Sequence, residues 1–278
     1  MFLLIGIIIG LVLGLTGSGG SVFAVPLLVL LAGVSMHQAV GLSLAAVAAS
    51  ALFGTLRLRS KQPVLWLPAM LLGVSGMVAA PAGQWAATRL PEVVLLVLFA
   101  VIAILIAWRM WLSASRQPEQ AAITRASDLR ETTSNGVLCR LSPTGQFQLK
   151  PRCMGGLLVG GLGIGLLSGL LGVGGGFVIV PLLLFLSQVT MQQAVGTSLV
   201  VISVISTTGF ISYLLFNQPI EDVLSYTHMA YLIAGGIAGM FLGQILTKKI
   251  ADDRLQKGFA IALLLTALTL LTTRLFME

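Results

Sequence analysis

Charged side chains are scarce: 9% of the 278 residues are Asp, Glu, Lys or Arg, against 57% hydrophobic, and the mean hydropathy is +1.02. That leaves too little polar surface to cover a water-soluble globule, so the chain reads as an integral membrane protein. Only nine residues are acidic. None lies in the interior of an expected span, so the usual carboxylate proton relay is missing. The two cysteines, Cys139 and Cys153, have no CxxC spacing and no histidine partner. They form neither a metal site nor a redox motif and are expected as reduced thiols. The two histidines, His37 and His228, fall at segment ends, where interfacial, non-coupling roles are expected. No nucleophile with a base and no paired carboxylates stand at membrane depth, so neither an enzyme nor a cofactor is indicated. The net charge of +7 could suggest nucleic acid, but in a membrane chain it is the signal of basic cytoplasmic loops.

What is abundant is apolar sequence broken by glycine. Eight apolar runs, the first Met1 to Ala32 and the last Phe259 to Leu271, suit bundle helices, since a barrel strand shows only about 10 residues of alternation. The opening run lacks a basic n-region and recurs mid-chain, so it is expected to be a membrane segment and not a signal peptide. The stretch Gly14 to Ser43, GLTGSGGSVFAVPLLVLLAGVSMHQAVGLS, returns without a gap as Gly169 to Ser198, GLLGVGGGFVIVPLLLFLSQVTMQQAVGTS, with about half the positions identical. The offset is constant at 155 (169 − 14). Two homologous halves follow: residues 1–112 as a first transmembrane repeat and 153–278 as a second, joined by a polar segment 113–152.

Each half divides into five segments. In the first they are Met1 to Thr16, Val22 to Val34, Gln38 to Leu56, Val64 to Ala87 and Val93 to Trp111. In the second they are Met154 to Leu171, Phe177 to Gln188, Ala194 to Phe216, Leu224 to Thr247 and Asp253 to Phe276. The segments flanking each glycine break are shorter than the roughly 20 residues needed to cross the hydrocarbon, so they meet deep in the membrane as a re-entrant hairpin or as short tilted helices. The fourth segments align through Gly76-Met77 with Gly239-Met240, and through Gly83-Gln84 with Gly243-Gln244 after a short gap. Within the linker, Val137 to Leu141 and Gln146 to Lys150 alternate around the turn signal Ser142-Pro143-Thr144-Gly145, predicting a small hairpin in an otherwise tether-like stretch.

Charge relates the halves. The third-to-fourth loop is basic in the first half (Arg57, Arg59, Lys61) and acidic in the second (Glu221, Asp222). The fourth-to-fifth loop is nearly neutral in the first half (Arg89, Glu92) and basic in the second (Lys248, Lys249, Arg254, Lys257). Equivalent loops thus prefer opposite sides of the membrane. That predicts an all-α protein of two inverted-topology repeats, with the linker cytoplasmic and both termini outside.

A helix is expected to begin just after each glycine turn, at Ser21-Val22 and at Gly176-Phe177. Its first turn offers free N–H groups and the positive end of the dipole, and glycine lets an anion reach the backbone. Pro26 and Pro181 are placed about one turn inside, where a missing N–H does little harm. The candidate substrate-binding residues are therefore Gly17, Ser18, Gly19, Gly20 and Ser21 in the first half and Gly172, Gly174, Gly175 and Gly176 in the second. Ser43, Thr197 and Ser198 join them from the Gly-Leu-Ser and Gly-Thr-Ser elements, with Gln38 and Gln193 one turn earlier. Helix packing by the glycines, interhelical bonding by the hydroxyls and capping by Ser18 and Ser21 are the alternatives at these positions.

The paired GxxGxGGx(4)P followed by AxG[TL]S, at Gly14 to Pro26 with Ala39 to Ser43 and at Gly169 to Pro181 with Ala194 to Ser198, resembles the TauE/SafE family of sulfite exporters. The resemblance implies a polytopic inner-membrane permease for sulfite, organosulfonates or another small anion. It points to the glycine turns and the Gly-Thr-Ser element. The first copy departs from the pattern at Ser18, Ser21 and Leu42, where the second has Val173, Gly176 and Thr197. The partners implied are a small anionic substrate and the lipid bilayer, with a homodimer left open. An anion channel and a non-transporting assembly factor docking through the linker are the rival readings.

Overall fold

The computed structural model describes residues 1–17, 20–58, 64–116, 140–141, 147–148, 151–186, 189, 191–216, 226–246, 261 and 269. Among these there are nine helices. The first half supplies α1 (Phe2–Thr16), α2 (Gly20–Ala32), α3 (Met36–Leu58), α4 (Trp66–Arg89) and α5 (Glu92–Arg116). The second supplies α6 (Pro151–Leu171), α7 (Gly176–Leu186), α8 (Met191–Phe216) and α9 (Tyr226–Leu246). The expected tenth segment lies outside the described residues apart from Ile261 and Thr269, both helical. In the linker, β1 (Arg140–Leu141) and β2 (Phe147–Gln148) pair antiparallel, Arg140 opposite Gln148 and Leu141 opposite Phe147, around the Ser-Pro-Thr-Gly signal.

Five helices, the described parts of α3, α4, α6, α8 and α9, are long and apolar enough to cross a membrane. By contrast α1 and α2, at 15 and 13 residues, reach only about 20 Å at about 1.5 Å per residue. Outward faces are apolar: Met70, Val74, Val78, Val97, Val101 and Leu105 are all exposed, as hydrocarbon permits and water does not.

Glycine spacing decides how the helices pack. On α1, Gly6, Gly10 and Gly14 recur every fourth residue and form one face. A Cβ on Gly6 or Gly10 would collide with the carbonyl of Leu232 or Gly236, and one on Gly14 would lie 2.7 Å from the Met240 carbonyl oxygen. Small residues thus bring α1 and α9 into backbone contact, side by side and parallel. In the second half, Gly161, Gly165 and Gly169 of α6 meet Leu72, Gly76 and Ala80 of α4 in the same way. α3 packs on α8 in the opposite sense, with Gly41 against Tyr213 and Leu44 against Gly209. Further contacts join α4 to α8 and α3 to α9. Exchanging the two halves turns α1 with α9 into α6 with α4 and α4 with α8 into α9 with α3, and returns α3 with α8 to itself.

Three expectations are corrected. The fourth helices match at a constant offset of 160: Leu72 stands where Leu232 does, Gly76 where Gly236 does, and Gln84 where Gln244 does, each facing the equivalent residue of α6 or α1. Gly76-Met77 therefore does not correspond to Gly239-Met240, and no gap is needed. Packing against a glycine ladder fixes this register, and a shared Gly-Met dipeptide does not. Pro26 and Pro181 lie inside their helices past the first turn, so each withholds the N–H that would bond the carbonyl four residues back, at Val22 and Phe177. Finally, Cys153 is disulfide-bonded in the structure, where the sequence predicts a reduced thiol. The absence of a CxxC motif argues against a redox centre but does not keep a cysteine out of a disulfide.

Candidate functional site

Helix α1 ends because Gly17 adopts a left-handed conformation (φ 68°) and returns its N–H to the Leu13 carbonyl at 2.7 Å. Helix α6 ends identically: Gly172 (φ 70°) donates to the Ser168 carbonyl at 2.9 Å. Gly174 and Gly175 continue in the same left-handed region, at φ 68° each, before α7 starts at Gly176. Side chains other than glycine rarely adopt this conformation, which explains the density of glycine here. Gly17, Gly20, Ser21 and every residue from Gly172 to Gly176 are buried. Ser18 and Gly19 lie outside the described residues.

Each turn is held by the other half. The Ser198 hydroxyl of α8 donates to the Gly17 carbonyl at 3.1 Å, and the Ser43 hydroxyl of α3 donates to the Gly172 carbonyl. Both serines also lie within bonding distance of their own helix, at Val195 and Val40. Valines complete the seat: a Cβ on Gly17 would collide with Val195, and one on Gly172 would sit 2.7 Å from the Val40 Cα. Ser43 with Val40 therefore does for the second turn what Ser198 with Val195 does for the first. Thr197, fully buried, accepts the Leu65 N–H at the start of α4 at 3.1 Å.

The first-half glutamine belongs to a helix cap. Gln38 Oε1 accepts the Ser35 N–H at 3.2 Å while the Ser35 hydroxyl accepts the Gln38 N–H at 3.4 Å, a reciprocal capping box opening α3. The adjacent Met36 N–H is satisfied by Glu92 at 2.8 Å, and His37 reaches the Ala87 carbonyl at 3.1 Å. His228 stacks on Phe2. Among the described residues no three of His, Cys, Asp and Glu are grouped as a metal would require.

The structure thus brings Gly17, Ser43, Gly172, Gly174, Thr197 and Ser198 to the contact between halves, keeps Gly20, Ser21, Gly175 and Gly176 buried beside the turns, and leaves Gln38 and His37 at a helix end. Two residues that sequence reading passed over join the second turn. Ser206 Oγ would lie 2.8 Å from a Cβ on Gly174, and Ser168 stands on the last turn of α6; both are fully buried, and neither hydroxyl has a hydrogen-bond partner. A cleft of about 620 Å³ elsewhere, lined by Phe53, Ala234, Ile237, Ala238, Phe241 and Leu242, is wholly apolar and touches neither turn, so it offers nothing to hold an anion.

The family model described as "Sulfite exporter TauE/SafE" matches residues 2–270. The chain belongs to the TauE/SafE family. A "Probable membrane transporter protein" of Xylella fastidiosa (strain 9a5c) is 29% identical over 250 residues, covering 90% of this chain and 85% of its own length. One of Haemophilus influenzae is 25% identical over 282 residues, 96% of each chain. A further one, from Methanocaldococcus jannaschii, is 27% identical over 223 residues, 78% of this chain and 73% of its own. No solved structure matches the chain. As a TauE/SafE protein it is a multi-pass membrane transporter and not an enzyme, acting on a small-molecule substrate within a lipid environment.

Proposed function

We propose that this TauE/SafE transporter exports a small anion, an oxidised sulfur compound such as sulfite or an organosulfonate, from the cytoplasm across the inner membrane by alternating access. The observation that carries the reading is the pair of buried glycine turns, each opening a helix and each held by a serine of the other half. Helix N-termini present N–H groups and positive potential to an anion, and glycine exposes them at close range. The substrate class comes from the family's description.

An inverted repeat with the site near the midplane accounts for the packing. α3 and α8 are equivalent helices that run antiparallel across their contact, while α1 runs parallel to α9 and α6 to α4. Such a pattern suits a two-fold axis in the membrane plane, which makes the inward-open and outward-open states exchanged versions of one another. The basic loops put the linker 113–152 in the cytoplasm. Export then needs no coupling proton, because the membrane potential drives a monovalent anion outward with about 2.3 kcal/mol per 100 mV.

Direction is tested in everted inner-membrane vesicles with an imposed inside-positive potential. The proposal expects labelled sulfite to accumulate and to stop doing so when the potential is collapsed. Accumulation that ignores the potential would contradict electrogenic export.

A further inference from the structure

The two turns obtain their hydroxyl groups differently. In the first half the turn carries its own, Ser18 and Ser21, where the second has Val173 and Gly176. In the second half the hydroxyls come from the flanking helices: Ser168 of α6 and Ser206 of α8, where the first half has Leu13 and Ala51 (168 − 155 and 206 − 155). Other buried serines on α3, α4 and α8 are satisfied locally, whereas Thr55 Oγ1 of α3 is a further buried hydroxyl without a partner. Ser50 bonds Ala46, Ser75 bonds Leu71, Ser203 bonds Val200 and Ser212 bonds Thr208, each at 2.7 or 2.8 Å. Such back-bonding is the default for serine in a membrane helix. Ser168 and Ser206 depart from it: both hydroxyls are fully buried and make no hydrogen bond. Ser206 is aimed at the start of the second turn, 2.8 Å from where Gly174 would carry a Cβ.

A buried hydroxyl without a partner is costly, and persists where something absent from the protein itself completes it. We propose that Ser206 donates to an oxygen of the bound oxyanion at the second turn, supplying from α8 a hydroxyl where the turn sequence itself, with Val173 and Gly176, has none. The α7 N-terminus supplies the positive potential and Ser206 the directional donor. An oxyanion such as sulfite has several oxygens to divide among turn N–H groups and hydroxyls. The inference rests on the turns being the anion site, and it names the residue that would read the anion in the second half.

The test is Ser206→Ala in detergent-purified full-length protein, read by thermal unfolding across a sodium sulfite titration and by KM for labelled sulfite in proteoliposomes. Removing an unsatisfied hydroxyl leaves the anion-free Tm equal to or above wild type, whereas removing a structural hydrogen bond lowers it. Losing one hydrogen bond to a charged group moves the sulfite midpoint and the KM up by about 10- to 100-fold. Ser206→Cys, similar in size and a weaker donor, falls between. An unchanged sulfite response in Ser206→Ala, or a lowered anion-free Tm, overturns the role of Ser206 while leaving the transport reading intact. A folded wild type that neither responds to sulfite or sulfoacetate nor transports them overturns the reading beneath it instead.

Discussion

The Ser198 hydroxyl donates to the Gly17 carbonyl at 3.1 Å, joining positions 181 residues apart, and thereby pins the first half's glycine turn to the second half's α8. Ser43 and Gly172 repeat the bond with the halves exchanged. The turns are buried among apolar helices, and these two serines hold one carbonyl in each.

Replacing either serine by alanine leaves a buried carbonyl short of a donor. Ser198→Ala and Ser43→Ala are each expected to destabilise the protein by about 1 kcal/mol. The double variant should lower the Tm by roughly the sum, because the two bonds are separate. Thermal unfolding in detergent checks this; no loss in the double variant would remove the pins from the account.

Gly174→Ala forces an L-residue into φ 68°, costing about 1–2 kcal/mol, and places a methyl 2.8 Å from Ser206 Oγ. The expected outcome is a folded, less stable protein without transport. Transport at wild-type rate in that variant would show that the second turn does not approach the substrate.

The interhelical glycines predict a contrast along one helix. Gly165 of α6 meets the Gly76 backbone, while Gly163, two residues earlier, is exposed with nothing near its would-be Cβ. Gly165→Leu is expected to abolish folding and membrane yield. Gly163→Ala should be neutral, or stabilising by up to about 1 kcal/mol. Equal yields of the two variants would contradict the α4 and α6 contact.

If the linker is cytoplasmic, it meets a reducing compartment in which thiols are kept reduced. The Cys153 disulfide is then expected to be open in living cells and to close after oxidation of isolated membranes. Alkylation in intact cells before lysis, read as a mass shift, checks this. A thiol that stays blocked in the cytoplasm-facing state would argue against the proposed topology.

Much of this was legible in the sequence because a gapless 155-residue repeat fixes equivalent positions, and a glycine cluster between short apolar runs marks a helix break at depth. Sequence does not say which half a side chain reaches. Ser43 and Ser198 were visible as hydroxyls, yet their acceptors lie across the molecule. Gly6, Gly10 and Gly14 carried a readable every-fourth-residue signal that was masked by the general richness in glycine. The correspondence between α4 and α9 is not legible from the shared Gly-Met dipeptide, which carries less information than the glycine ladders that pack α4 on α6 and α9 on α1. Ser206 looked like one more hydroxyl on an apolar helix, and only its missing partner distinguishes it from Ser203 or Ser212.

The central claim is that the two turns form a carrier site for an oxidised sulfur anion, and counterflow tests it most directly. Proteoliposomes loaded with unlabelled sulfite are given labelled sulfite outside, with sulfate, sulfoacetate, thiosulfate and chloride as competitors and Gly174→Ala as the blank. The account predicts saturable exchange, inhibited by sulfoacetate and absent from the blank. Silence across the whole panel from protein shown to be folded, or single-channel currents in place of saturable exchange, would contradict it.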